Sequence, residues 1–132
     1  MKDYAKGSCL CKNIQFRINF PSKWVAHCHC EKCRKTHGAG YVTWVGIEDS
    51  KFHITTGEKI VQWYKSSAEA QRGFCQSCGS SLFFKSSEWP NEIHIALGVF
   101  DDPMDKSPSN NAFFENHVDW MPIDEQLNIV NP

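Results

Sequence analysis

His27-Cys28-His29-Cys30-Glu31-Lys32-Cys33-Arg34 is the stretch on which the reading of this chain turns. Its three thiols fall within six positions, and no fourth lies nearby. Side chains alternate along extended chain, so Cys28 and Cys30 share a face, and Cys30 and Cys33 have the C-x-x-C spacing by which a tight turn brings two sulfurs to one metal ion. A site made from these three is either completed from elsewhere or left open. His27 and His29 point the other way in a regular strand and are expected to be core or surface histidines. Imidazole is nevertheless a common zinc ligand, and local bending would let either fill a fourth position.

Around this stretch, Pro21-Ser22-Lys23 turns the chain and Trp24-Val25-Ala26 leads into the thiols as a short strand. Arg34 to Gly40 reads as a short helical turn closing in a glycine loop, with Arg34 and Lys35 placed to meet an acidic ligand. Upstream, Cys9-Leu10-Cys11 precedes Ile14, Phe16, Ile18 and Phe20, which alternate with polar residues as a half-buried strand does. In extended chain Cys9 and Cys11 would face one ion together. Downstream, Cys75-Gln76-Ser77-Cys78-Gly79 is a second C-x-x-C, and the glycine after it is free to take positive φ and wrap the loop amides toward the sulfurs.

The remaining segments are mostly strand-like. Tyr41 to Ile47 is β-rich and nearly all apolar, the pattern of a central strand. Phe52–Thr55 and Ile60–Tyr64 flank Gly57-Glu58 as an expected hairpin. Ser81–Lys85 and Glu92–Leu97 read as two more strands, with His94 on the outward side of the latter as His53 is on that of Phe52–Thr55. Asp101 to Asn111 is a loop without periodicity, Ala112-Phe113-Phe114 restarts a strand, Trp120 is a late aromatic that caps the core or lines a site, and Ile123 to Pro132 is weakly helical at best. The expected architecture is mostly β, one domain over residues 1–132 with short connections and little helix.

At 132 residues the core alone gives a thin margin of stability, which metal would reinforce. A formal charge of -1 with mixed signs argues against nucleic acid or an anionic membrane as partner. The charged start, without an apolar h-region, and the lack of a membrane-length apolar run lead to a cytoplasmic expectation. In a reducing compartment seven cysteines at short spacings read as metal ligands, and an odd number would leave a disulfide framework with one thiol over. Four plus three fits one closed tetrahedral site and one with an open position. Spacing alone allows two divisions. Cys9, Cys11, Cys75 and Cys78 close one site and leave Cys28, Cys30 and Cys33, or Cys9, Cys11, Cys28 and Cys30 close it and leave Cys33, Cys75 and Cys78. The first keeps each local cluster whole and is preferred.

Gly7-Ser8-Cys9-Leu10-Cys11, then Cys28 to Arg34 with Gly38-Ala39, then Arg72, Phe74, Cys75, Cys78, Gly79, Ser80 and Leu82, and finally Leu97-Gly98, Asp101-Asp102-Pro103 and Trp120, resemble the family of the glutathione-dependent formaldehyde-activating enzyme and centromere protein V over about residues 7–120. The resemblance implies an Mss4-like β fold, a structural zinc on Cys9, Cys11, Cys75 and Cys78, and a second zinc on Cys28, Cys30 and Cys33. It also implies carbon–sulfur lyase chemistry, in which glutathione and formaldehyde combine reversibly to S-(hydroxymethyl)glutathione. Asn111 stands where a family histidine is expected, which weakens the transfer of substrate specificity.

Three thiolates with an exchangeable fourth ligand are the arrangement of a catalytic zinc site, where a substrate thiol loses its proton or a carbonyl is polarised. Three sulfurs already weaken the ion as a Lewis acid, which favours holding and delivering a thiolate. Arg34, Lys35 and Arg72 are candidates to offset negative charge or to meet glutathione carboxylates. A non-catalytic glutathione carrier and an interaction module with two structural zincs are the competing classes. A reductase of the methionine sulfoxide type needs a redox cysteine beyond its zinc ligands, and the four-plus-three division uses every thiol.

Overall fold

The computed structural model describes residues 2–132. In chain order the strands are β1 (Tyr4–Ser8), β2 (Gln15–Asn19), β3 (Trp24–Cys28), β4 (Val42–Glu48), β5 (Phe52–Thr56), β6 (Val61–Lys65), β7 (Ala70–Cys75), β8 (Ser81–Ser86), β9 (Glu92–Ala96), β10 (Asn110–Ala112) and β11 (Asn128–Val130). One α-helix, α1 (Glu31–His37), follows β3. The fold is therefore mostly β, as expected.

The strands form a small sheet in the order β1-β2-β5 and a large one in the order β11-β10-β3-β4-β9-β8-β7-β6. Pairing is antiparallel except at β10, which runs parallel to both β3 and β11. The period of two divides the large sheet into two different faces. Val25, Val45, Ile47, Ile93, Ile95 and Phe83 point to one side and pack on Ala5, Phe16 and Ile18 of the small sheet. Phe16 is the centre of this core, with edge-on contacts to Phe83 at 5.4 Å and Phe100 at 5.3 Å. Trp24, Ala26, Cys28, Trp44, Ala96 and Phe84 point to the other side, where α1 and the C-terminal residues Val130 and Pro132 lie.

The expected Phe52 to Tyr64 hairpin does not form. β5 pairs with β2 in the small sheet and β6 with β7 in the large one. Gly57 accounts for the separation, because its left-handed backbone (φ +82) lays the turn on the loop after Cys11, where a Cβ would lie 2.0 Å from the Asn13 carbonyl oxygen. Replacement of Gly57 by alanine is thus expected to cost at least about 2 kcal/mol from backbone strain and overlap together. Chemical denaturation measures this, and an unchanged midpoint would rule the contact out.

Three further departures have local causes. β1 gives no alternation signal because its inward residues are the small Ala5 and Gly7. The tail expected to be weakly helical instead adds β11 beside β10, in register Asn111↔Ile129. The late strand is Asn110–Ala112, not Ala112 to Phe114, since Phe113 turns the chain with φ +54. The loop from Asp101 is tied down by its acids: Asp102 accepts from Lys2 Nζ and the Lys6 amide, and Asp105 from the Ser22 hydroxyl at 2.6 Å.

Candidate metal centres and the cavity beside them

Cys9 and Cys11 sit in the tight loop between β1 and β2. Their sulfurs converge because that loop turns, with the Lys12 amide donating to the Cys9 carbonyl at 3.1 Å, and not because the chain is extended there. Cys75 ends β7 and Cys78 follows in a turn closed by the Gly79 amide on the Cys75 carbonyl at 2.8 Å, with Gly79 at φ +79. The four sulfurs lie within 4.8 Å of one another. Cys9 and Cys11 are 3.6 Å apart and Cys11 and Cys75 3.8 Å. Sulfurs bound at about 2.3 Å to a tetrahedral zinc stand about 3.8 Å apart, whereas a disulfide needs about 2.0 Å. The spacing therefore fits a metal and excludes a disulfide. Amides supply the outer support: Ile14 N–H donates to Cys9 Sγ at 3.3 Å and Cys78 N–H to Cys75 Sγ at 3.5 Å. The Ser80 hydroxyl beside Cys78 holds its thiol down at about 5.

The second group joins the end of β3 to α1. Cys28 is buried at the strand end and Cys33 is buried in the helix. Cys30 caps the helix in extended conformation, its sulfur accepting from the Cys33 amide at 3.3 Å. Gly38, at φ +61, ends the helix, and its amide donates to the Arg34 carbonyl. The sulfurs of Cys28 and Cys33 are 3.5 Å apart, and all three lie within 4.8 Å of one another. Hydrogen bonds from the Cys28 and Cys33 thiols lower the Cys30 thiol strongly, and the bond from Cys28 in turn raises Cys28.

Neither histidine of this stretch faces the sulfurs. His27 Nδ1 is 2.8 Å from the Thr43 hydroxyl. His29 is fully buried, its Nε2 2.9 Å from Asn111 Oδ1, and it packs on Tyr41 and Phe114. Asn111, flagged in the sequence as standing at a histidine position, is a buried partner of His29 and lies off the cavity. Among the described residues the second cluster has three ligand atoms.

Of the three cations expected near this cluster, the structure brings only Arg72 to it. Arg72 is 6 % exposed, donates from a terminal nitrogen to Cys33 Sγ at 3.5 Å and from Nε to the Ser66 hydroxyl at 3.3 Å, and lies 4.9 Å from the centre of the Phe84 ring. Among the described residues no carboxylate comes within ion-pair distance of it. Arg34 and Lys35 do not line the cavity.

That cavity, about 320 Å³, opens beside the three sulfurs on the second face of the large sheet. Its walls include Trp24, Trp44, Phe84, Trp89 and Phe113. Trp120, expected to cap the core or line a site, is exposed, and its ring lies over Gly40. His94, expected to be exposed, is 7 % exposed in the cavity wall, where its Nε2 meets Glu92 Oε1 at 3.0 Å and burial lowers its pKa. β9 lies inside the large sheet between β4 and β8, so both of its faces are covered, which its alternation alone does not signal.

Fold and site together define a small thiol-rich β protein with one closed four-cysteine group and one three-cysteine group beside a cavity, both able to hold metal. The chain belongs to the glutathione-dependent formaldehyde-activating enzyme family, whose profile matches residues 4–116. A Halomonas elongata protein carrying the provisional name of glutathione-dependent formaldehyde-activating enzyme is 27 % identical over 92 % of this chain and 82 % of its own length. A Schizosaccharomyces pombe protein named as an uncharacterized lyase is 30 % identical over 76 % of this chain and 70 % of its own. A crystal structure of a Rhodobacter sphaeroides protein shares the fold, with a TM-score of 0.64 at 20 % identity over 74 % of this chain and 89 % of that one. No helix among the described residues is long and apolar enough to cross a membrane.

Proposed function

We propose that this chain is a carbon–sulfur lyase that makes and breaks thiol–aldehyde adducts with glutathione as the thiol, using zinc at Cys28, Cys30 and Cys33 and a structural zinc at Cys9, Cys11, Cys75 and Cys78. The observation that carries this reading is Arg72. A buried guanidinium without a counter-charge costs several kcal/mol, and the negative partner within reach is the sulfur cluster. Three thiolates around a divalent ion leave one net negative charge, which Arg72 would balance. The names of the chain's relatives point to the same chemistry. A zinc ion there would supply a coordination position at which a thiol is held as its thiolate. In the breakdown direction the carbon–sulfur bond breaks with its electron pair going to sulfur, while the hydroxyl loses its proton to solvent and becomes the carbonyl. Arg72 stabilises charge on Cys33, the Cys33 amide does the same for Cys30, and the aromatic walls keep bulk water from the reacting carbon.

The reading is tested by the rate of S-(hydroxymethyl)glutathione formation against the spontaneous reaction, followed by exchange NMR. Acceleration by the metal-loaded protein is expected, and none would leave a glutathione carrier. Arg72→Met is expected to keep the fold and to lower kcat/KM by about 10–100-fold, with faster loss of the second metal to a chelator. Arg72→Lys, which restores the charge but not the planar fork, is expected to recover only part of this. Unchanged activity in Arg72→Met would remove the guanidinium from the mechanism.

A further inference from the structure

The hydroxymethyl group delivered by formaldehyde is one carbon and one oxygen, while the space beside Cys28, Cys30 and Cys33 measures about 320 Å³. A cavity of about 150 Å³ is enough for a benzene-sized guest. The peptide of glutathione is a poor filler for the interior, because its two carboxylates, amine and amides all need polar partners when buried. The interior offers few. Arg72 already serves Cys33 Sγ, Ser66 and the face of Phe84. The remaining polar wall groups that are open to solvent, among them Lys32, Ser67 and Glu88, are exposed or half-buried and mark the rim. Rim and interior are thus chemically different, the first suited to a peptide and the second to an apolar group.

The interior surface is also made of ring faces. Phe84 packs against His94 at 5.4 Å with planes 23° apart, and Trp24 meets His94 edge-on at 4.6 Å. Trp44 and Trp89 lie 6.0 and 6.1 Å from Phe84. Gly46 makes room for this wall, since a Cβ there would stand 2.2 Å from the Trp24 ring. Rings in offset and edge-on arrangements favour a further ring over an aliphatic chain. We infer that the cavity is a subsite for an aromatic group on the carbon side of the adduct, so that the substrate class is a glutathione conjugate of an aryl-bearing aldehyde. This rests on the lyase reading for the thiol but not for the ring.

The test compares two inert conjugates, S-benzylglutathione and S-methylglutathione, together with benzyl alcohol, by calorimetric titration of the metal-loaded protein. S-benzylglutathione is expected to bind at least about tenfold more tightly than S-methylglutathione, the effect of burying one ring. Trp89→Ala, at a half-buried wall position, is expected to narrow that ratio to below about threefold, with the loss falling mainly on the S-benzyl conjugate. Equal affinity of the two conjugates for the parent protein would overturn the aromatic subsite and leave the glutathione reading standing. Binding of benzyl alcohol alone, with neither conjugate bound, would support the subsite and overturn glutathione as the thiol. No binding by any of the three would overturn both.

Discussion

Cys75→Ser is expected to leave the protein unfolded at room temperature. Cys75 is fully buried where β7 ends, and its sulfur lies 3.8 Å from that of Cys11 in the loop between β1 and β2. With zinc bound, the four-cysteine group would staple the small sheet to the turn after β7, beside the Leu10 amide that donates to the Ser80 hydroxyl at 3.0 Å. Structural zinc in small domains contributes about 10–16 kcal/mol of apparent binding energy. The whole stability of a domain is about 5–15 kcal/mol. Opening a zinc-filled site would remove a term as large as the total. Circular dichroism with metal analysis measures this. A Tm within a few degrees of the parent, with one metal still bound, would show that this group does not hold the fold.

Cys30→Ser should behave in the opposite way, with the fold kept and the chemistry lost. Cys30 caps α1, and its sulfur accepts from the Cys33 amide at 3.3 Å. Serine is a preferred residue at that position and its hydroxyl accepts the same bond, so the helix keeps its cap. It does not keep its ligand. A serine hydroxyl is not ionised at neutral pH, and two remaining thiolates hold zinc far less well than three. The expected result is a Tm near that of the parent, one metal equivalent fewer per chain, and a fall in adduct turnover of at least about 100-fold. Full metal content with unchanged glutathione binding would sink the assignment of this cluster as the active site. The pair of variants separates a staple from a working site, because the two clusters differ in what closes them.

Much of the architecture was legible in the residues because it is encoded locally. The alternation of Phe16 and Ile18 gave β2, the apolar run from Val42 gave the central strand β4, and Gly38 marked the end of α1. Strands whose inward residues are small, such as Ala5 and Gly7 in β1, or that form only by docking on another edge, as β11 does, carry no such signal. The Phe52 to Tyr64 hairpin failed for a related reason. Turn residues such as Gly57-Glu58 announce that the chain turns, but which edge each arm then pairs with depends on edges made elsewhere.

By itself the sequence determined the three local cysteine motifs and the family, since a C-x-C, a C-x-x-C or a C-x-C-x-x-C brings its own sulfurs together through a few bonds, whereas the joining of Cys9 and Cys11 with Cys75 and Cys78 came only from packing. The tertiary structure alone decided what stands beside them. Arg72 reaches Cys33 only because β7 and α1 meet across the second face of the large sheet. Trp24, Trp44, Phe84 and Trp89 come from four segments, and a period of two says which residues share a face without saying what covers it. His94 was misjudged on that point. Ligand spacing is a property of short chain segments, whereas the charge balance and shape of a cavity arise where distant segments pack.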